Sequence, residues 1–294
     1  MAKARELKRR IRSVQSTRQI TKTMEMVSTS KLKRAQDRVT GARPYATALG
    51  EVIAEMYAPE HAEHFRLLRQ PETVRRVALL LITSNRGLCG AFNANLIREA
   101  RRRIADQEQQ GAQVELHLVG KKGVNFFRFA KRAAATTRID IGDKPTPVHA
   151  RELTDPLVAA FEAGTIDAVD VVFAKFNSPV STPATTLRVL PVAAVGRSSG
   201  PAGSAAAPST ANYILKPSAA AILEKLLPLY VRNQIYRALV ETAAAEHGAR
   251  RTAMKNATDS AGDMLDLLRR TFNRARQAQI TQEIAEIVGG AEAL

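Results

Sequence analysis

Apolar residues recur at steps of three and four near the start of the chain, at Leu7, Ile11 and Val14, then Ile20, Met24 and Val27, then Leu32, Ala35 and Val39. Such steps line one stripe of an α-helix. They predict a single helix from Ala2 to about Tyr57, kinked at Pro44, where a backbone donor is missing and the ring crowds the preceding turn. The other end has the same character from Pro217 to about Val288, with Ile222, Leu226 and Leu229, then Ile235 and Leu239, then Met254, Ala257, Ala261, Leu265, Leu268 and Phe272. At 1.5 Å per residue these helices would run roughly 80 and 100 Å. Neither fits inside one globule of this size. They most economically bury their stripes against each other as an antiparallel coiled coil, loosely wound because Arg18 and several alanines interrupt a strict heptad.

Between them the pattern changes to short strands alternating with helices, which predicts an α/β layer domain. Strands are expected at Arg75–Thr83, Gln113–Val119, Ala168–Phe176 and Thr185–Val195, and helices at Ala91–Gln107, Lys121–Ala133 and Ala150–Ala163. The stretch GRSSGPAGSAAAPST, Gly196 to Thr210, reads as a flexible connector. The organisation is therefore an N-terminal coiled-coil helix over 1–57, an α/β domain over 73–195, a connector over 196–210 and a C-terminal coiled-coil helix over 211–294. No tandem repeat is visible.

Composition supports a helical, globular chain. Hydrophobic residues make up 45% of 294, aromatic residues only 5%, and there is no Trp, which suits alanine- and leucine-rich helices better than an aromatic-packed sandwich. The net charge of +16 implies attraction to something acidic: nucleic acid, an anionic bilayer surface or an acidic protein. That charge is concentrated, with thirteen basic and three acidic residues from Met1 to Arg43, against ten and nine from Pro217 to Leu294. The lone Cys89 permits no internal disulfide and no thiolate zinc site, so a reducing, cytosolic setting is the simplest. The charged opening is unlike a signal peptide, and the longest apolar runs, such as Val77 to Ile82, are far short of the roughly 20 residues that span a bilayer.

Candidate chemistry is sparse. Leu79 to Asn95, LLLITSNRGLCGAFNAN, sets a Gly-containing turn between a strand and a helix, where nucleotide-binding folds hold phosphate. It lacks the Lys and hydroxyl of GxxxxGK[ST] and does not match GxGxxG. A structural turn, with Gly87 and Gly90 chosen for backbone freedom, is the better reading than an anion contact. Cys89 reads as a buried thiol rather than a nucleophile, and His61 and His64, beside Glu60 and Glu63, as solvated histidines rather than metal ligands. No cofactor or metal is expected. Two alternatives follow from the residues: a basic coiled coil binding nucleic acid, against which stand the apolar stripe and the lack of interleaved aromatic platforms, and a Rossmann-like enzyme with helical extensions.

Three blocks change the picture. IRSVQSTRQITKTMEMVSTSKLKRAQDRV (Ile11 to Val39) closely resembles the N-terminal helix of F-type ATP synthase γ subunits, ATDSAGDMLDLLRRTFNRARQAQITQEIAEIVGGAEAL (Ala257 to Leu294) resembles that family's C-terminal signature, and SNRGLCGAFN (Ser84 to Asn93) agrees between them. The resemblance spans nearly the whole chain. It implies an antiparallel coiled coil plus a Rossmann-like α/β domain, and a central-stalk rotor that carries torque between a proton-driven c ring and the catalytic sites of an α/β hexamer. It further implies a non-enzymatic subunit with α, β, ε and c-ring partners and no nucleic acid. The setting would be the cytoplasmic side of a bacterial inner membrane, reached through those partners.

Site residues carry over by motif position. Arg276 and Gln277 resemble residues that hydrogen-bond to acids of a β-subunit loop, and Thr281 and Glu283 match polar positions in the same zone. Lys22 with Met24, and Lys31, Lys33 and Arg34, lie on the part of the N-terminal helix that passes acidic β segments in the family. Ile280, Ile284, Ile287 and Val288 would form an apolar tip turning within the hexamer's collar. Lys216, in YILKP, stands where related sequences can carry an acid facing the c ring, so that contact is not carried over. The lone Cys89 predicts no thiol switching.

Overall fold

A computed structural model describes residues 2–56, 65–71, 73–192 and 219–292. Its elements are α1 (Ala2–Met56), a 3-10 turn (Arg66–Leu68), β1 (Arg76–Ile82), α2 (Phe92–Gln109), β2 (Gln113–Val119), α3 (Lys121–Phe129), β3 (Thr136–Arg138), α4 (Pro147–Glu162), β4 (Ala168–Ala174), β5 (Ala184–Leu190) and α5 (Ala219–Glu292). The two terminal helices run 55 and 74 residues, continuing through Pro44 and Pro228. Two compact units emerge, one of Met1–Ser30 with Arg250–Leu294 and the other of Lys31–Ala249. The expected connector at 196–210, together with His61, His64 and Lys216, lies outside the described residues.

The Lys31–Ala249 unit is built on a five-stranded sheet ordered β3-β2-β1-β4-β5. β1 pairs in parallel with β2 and β4, β2 pairs in parallel with β3, and β5 closes the edge antiparallel to β4. β1 is covered on both faces, which is why RVALLLI reads as a continuous apolar run rather than an alternating one. Ala78, Leu80 and Ile82 join a core with α4, Leu49 and Ile53 of α1, and Leu227 to Leu239 of α5. Leu79 and Leu81 join a second core with α2, α3, Leu32 to Val39 of α1, and Val240 to Ala245 of α5.

Several boundaries move for local reasons. α4 begins at Pro147 rather than Ala150, because Thr146 caps it: its hydroxyl accepts from the His149 N–H at 3.4 Å while His149 Nδ1 accepts from the Thr146 N–H at 3.3 Å. α3 stops at Phe129, short of Ala133, where the Lys131 and Arg132 N–H groups close onto the carbonyls of Arg128 and Phe127 and Lys131 takes a left-handed φ of 54°. A lysine in the place usually held by glycine hides the stop from the sequence. The three-residue β3, TTR, is too short and polar to show a pattern. Gly120, at φ 94°, closes the turn after β2 against Thr83; a Cβ there would stand 2.1 Å from the Thr83 carbonyl oxygen.

In the Met1–Ser30 and Arg250–Leu294 unit, α1 and α5 pack antiparallel, with Thr258 hydrogen-bonded to Thr21 at 2.8 Å and the Arg18 guanidinium beside Gly262. The seam follows strict steps of four and three through Leu7, Ile11, Val14, Arg18, Thr21, Glu25 and Ser28. The expected Ile20 and Val27 lie one residue off it and are 57% and 52% exposed. On α5 it runs through Met254, Thr258, Ala261, Leu265, Leu268 and Phe272, with Thr258 in place of the expected Ala257. Either phase satisfies helical spacing. The phase set by Leu7, Ile11 and Val14 is the one that continues into Thr21 and Ser28.

Candidate functional site

The crevice at the carboxyl ends of β1 and β4, where the strand order reverses, is the position at which open α/β sheets take ligands. Here α5 fills it. Glu241 accepts from the Phe176 N–H at 3.1 Å, and the Thr242 hydroxyl accepts from the Ala174 N–H at 3.3 Å. The remaining cavity, lined by Ser84, Asn85, Asp143, Thr242 and Glu246 among others, is about 30 Å³. A water needs roughly 10–15 Å³ of such space, so the cavity holds a couple of waters and no nucleotide.

The SNRGLCGAFN turn spends its polar groups on its own backbone and neighbours. The Ser84 N–H donates to Asn93 Oδ1 at 3.1 Å, and the Ser84 hydroxyl donates to the Arg86 carbonyl at 2.6 Å. The Asn85 amide donates at 3.0 Å to both the Ile139 and Ile141 carbonyls while its Oδ1 accepts from the Lys121 N–H. Cys89 is buried, in contact with Asn93 Nδ2 at 3.2 Å. Gly90 takes the positive φ, 59°, expected of it, but the second left-handed residue is Leu88, φ 61°, and not Gly87. The structural reading of this turn accounts for its residues.

The carried-over residues fall in different settings. Arg276, Gln277, Ile280, Thr281, Glu283, Ile284, Ile287 and Val288 are all exposed on the last turns of α5. At 100° per residue they share one face about 160° wide. Glu283 accepts from Gln279 Nε2 at 2.8 Å, Thr281 donates to the Gln277 carbonyl at 3.0 Å, and among the described residues no carboxylate pairs with Arg276. The antiparallel register explains this exposure. Stepping outward by heptads from Thr21 and Thr258 sets Val14 level with Leu265 and Leu7 level with Phe272. Ala2, where α1 begins, then falls level with about Gln277. Beyond that point no described residue of α1 lies alongside α5, and Ile280, Ile284, Ile287 and Val288 are 46%, 57%, 73% and 52% exposed.

On α1, Lys22 pairs with Glu25 at 3.5 Å, Met24 is half-buried, Lys33 pairs with Asp37 at 3.3 Å and Arg34 is exposed. Lys31 differs from them: it is half-buried and engages Asp143, whose backbone carbonyl also accepts from Arg38. Burial pushes the Asp143 carboxyl up, but the Lys31 hydrogen bond, His247 and Arg86 together hold it below its ordinary value. Ile20 and Val27, expected on the buried stripe, are instead turned outward by α1 together with Met26. Their mismatch with the regular seam was the available signal. The Lys31–Ala249 unit also carries a groove of about 520 Å³, with Tyr45, Val148, Leu229 and Tyr236 beside Arg151 and Arg232.

The family model described as ATP synthase matches residues 3–294. The chain is 61% identical over 294 residues to the ATP synthase gamma chain of Gemmatimonas aurantiaca, covering all of this chain and 99% of that one. It is 45% identical to that of Moorella thermoacetica and 42% identical to that of Leptospira biflexa, each covered in full. Among solved structures it resembles a chain of the Euglena gracilis mitochondrial ATP synthase (OSCP/F1/c-ring, rotational state 3) with TM-score 0.68 at 18% identity, covering 99% of this chain and 94% of that one. A chain from the Tetrahymena thermophila mitochondrial ATP synthase central stalk and c ring gives TM-score 0.60 at 24% identity, covering 81% and 99%. These likenesses carry the fold of long terminal helices around a mixed sheet, and nothing among them supports a nucleic-acid-binding reading. Matched from end to end by the family model and by these relatives, the chain belongs to the ATP synthase gamma-chain family, the non-catalytic central-stalk subunits of that complex.

Proposed function

We propose that the last turns of α5 are the bearing of a rotor that couples a proton-driven c ring to catalytic sites on surrounding α and β subunits. The observation that carries this reading is the exposure of four large apolar side chains, Ile280, Ile284, Ile287 and Val288, on the last turns of α5. An apolar collar around these four side chains removes them from water at no electrostatic cost, while the charged Arg276 and Glu283 among them need polar partners. Arg276 stands on the same face, with no carboxylate among the described residues paired to it, and a guanidinium engages an external carboxylate bidentately in a contact that can form and break. Lys22, Met24, Lys33 and Arg34 would meet acidic β segments. Lys31, held by Asp143, would contribute only if that pair opened.

The sheet-bearing unit would meet ε and the c ring. None of the described helices is long and apolar enough to cross a membrane, and the chain would sit peripherally on the cytoplasmic side of a bacterial inner membrane through its partners. A shaft whose surface differs around its circumference favours a different nucleotide state at each surrounding site, and by linkage ATP hydrolysis drives it backwards. The test is a bead fixed to the sheet-bearing unit in a complex assembled with α and β subunits and supplied with ATP. Stepping in thirds of a turn in one direction is expected. An ATP-hydrolysing complex whose bead never turns would overturn the reading.

A further inference from the structure

Three of the large apolar side chains that the Lys31–Ala249 unit leaves in solvent come from three different helices and meet in one place. Tyr45 of α1, Val148 of α4 and Leu229 of α5 are 58%, 51% and 40% exposed, and all line the groove of about 520 Å³ together with Tyr236. Single exposed apolar residues are ordinary on a protein surface, but a concave cluster of them marks a place where something binds. Gly41 keeps the groove open on the α1 side, since nothing lies within 4 Å of the position a Cβ would take. A volume of this size is that of a small-molecule site.

The polar groups around the apolar floor are of one sign. Arg38, Arg151 and Arg232 line the groove, and no acidic side chain does. Arg232 is engaged by Asp155 at 2.8 Å, and Arg38 donates to the Asp143 carbonyl at 3.2 Å. Arg151 differs from both, because among the described residues no carboxylate or carbonyl accepts from it, and it is exposed. The Asn233 amide, also facing the groove, likewise has no hydrogen-bond partner among the described residues. A plain hydrocarbon would cover the floor and leave the guanidinium unanswered. A molecule with an apolar body and an anionic end satisfies both, and a guanidinium takes a carboxylate through two parallel hydrogen bonds. One uncommitted guanidinium matches one negative charge, which favours a carboxylate over a doubly charged phosphate.

We infer that the groove between α1, α4 and α5 binds a single-chain carboxylate amphiphile, with its chain against Tyr45, Val148 and Leu229 and its head on Arg151. The site lies within one unit and does not rest on the stalk reading. The test is titration of the full chain with decanoate carrying 13C at its carboxyl carbon, kept below the concentration at which it forms micelles, alongside decanol and decyl phosphate. One saturable site with a shifted carboxyl resonance is expected, and decanol should bind about tenfold more weakly. Arg151→Gln should weaken decanoate binding about tenfold. Gly41→Leu, which places a side chain in the open space, should abolish it, with circular dichroism of both variants matching the parent. The comparison of decanoate with decanol needs no variant to fold: absence of saturable binding, or equal binding of the two, would overturn the site. Binding that survives both substitutions would overturn it as well, and tighter binding of decyl phosphate would overturn the carboxylate assignment. Recruitment to anionic vesicles without binding of monomeric decanoate would give the groove to a bilayer surface. Self-association that Gly41→Leu disrupts and decanoate does not would give it to a second copy of this chain, and either result would overturn the inference.

Discussion

Arg188 on β5 and Asp170 on β4 are joined by two hydrogen bonds, Nε to Oδ1 at 2.8 Å and Nη2 to Oδ2 at 3.3 Å, and the carboxylate is completely shielded from solvent. Arg103 of α2 reaches the same Oδ2 through its own Nε at 2.8 Å. One buried charge therefore ties the antiparallel edge strand, the strand beside it and the helix that covers them. The arginines keep 26% and 35% of their side chains in solvent and the aspartate keeps none.

That asymmetry predicts which deletion hurts more. Asp170→Asn leaves two part-hydrated guanidinium groups and should cost about 2 kcal/mol. Arg103→Leu with Arg188→Leu leaves a bare buried carboxylate and should cost about 4 kcal/mol, more than the sum of the single replacements. Urea unfolding of the four proteins checks the order. An equal or reversed cost would mean that water reaches Asp170.

Two glycines should respond oppositely to alanine. At Gly120 a Cβ meets the Thr83 carbonyl oxygen at 2.1 Å and its carbon at 2.6 Å, with φ at 94°, so Gly120→Ala should cost about 3 kcal/mol or more. Gly41 lies inside α1 with nothing within 4 Å of the added methyl, so Gly41→Ala should stabilise by about 1 kcal/mol through helix propensity. Thermal unfolding midpoints moving down and up respectively are the expected result.

His117 supplies a pH dependence. Burial lowers its pKa from the ordinary 6.5, only partly opposed by Glu115 at 3.5 Å from Nε2, and its Nδ1 lies 2.8 Å from the Thr136 hydroxyl. Above pH 6.5 the ring is neutral in both folded and unfolded chains. Below it the unfolded chain takes up the proton first, so stability falls with acidification until the folded pKa is passed. The slope of stability against pH below 6.5 should flatten in His117→Asn.

A second titration is local. The Arg138 hydrogen bonds hold the Asp140 carboxyl down to about 2. In Arg138→Gln its midpoint, followed by carboxyl-carbon NMR, should return toward the ordinary carboxylate range. Because both side chains are substantially exposed, global stability near neutral pH should hardly change.

Arg276→Ala with Gln277→Ala tests the proposed bearing. Both positions are exposed on α5, level with the start of α1, so the isolated chain should keep its unfolding midpoint. Loss of one charge-assisted and one neutral hydrogen bond to the stator should slow ATP hydrolysis by about tenfold. Unchanged ATP hydrolysis and unchanged ATP-driven proton pumping would remove these residues from the contact.

Much of this was legible because it is local. The apolar run of β1, the spacing of Leu7, Ile11 and Val14, and that of Leu265, Leu268 and Phe272 follow from backbone period and side-chain polarity alone. The family signature in the last 38 residues is likewise local, and it is what puts Arg276 and the apolar tip forward for the proposed contact. Other features needed a partner distant in sequence. Lys31 looks like any lysine of a basic helix, yet it is committed to Asp143, 112 residues away. β3 exists because β2 offers it an edge, and Leu88 adopts its left-handed φ because the ties of Ser84 and Asn93 close the turn around it.

The sequence by itself determined that there would be two long helices, a sheet buried on both faces between them in chain order, and a positive charge weighted toward the N-terminal helix. The tertiary structure decided which phase of each helix became the seam. Ile20 and Thr21 both fit a spacing of three and four, and intrahelical energies barely separate them. The choice falls to the apolar positions in phase with the seam, Leu7, Ile11 and Val14 on one helix and Leu265, Leu268 and Phe272 on the other, which carry Thr21, Ser28 and Thr258 inward with them. The same rotation sends Ile20 and Val27 out to solvent.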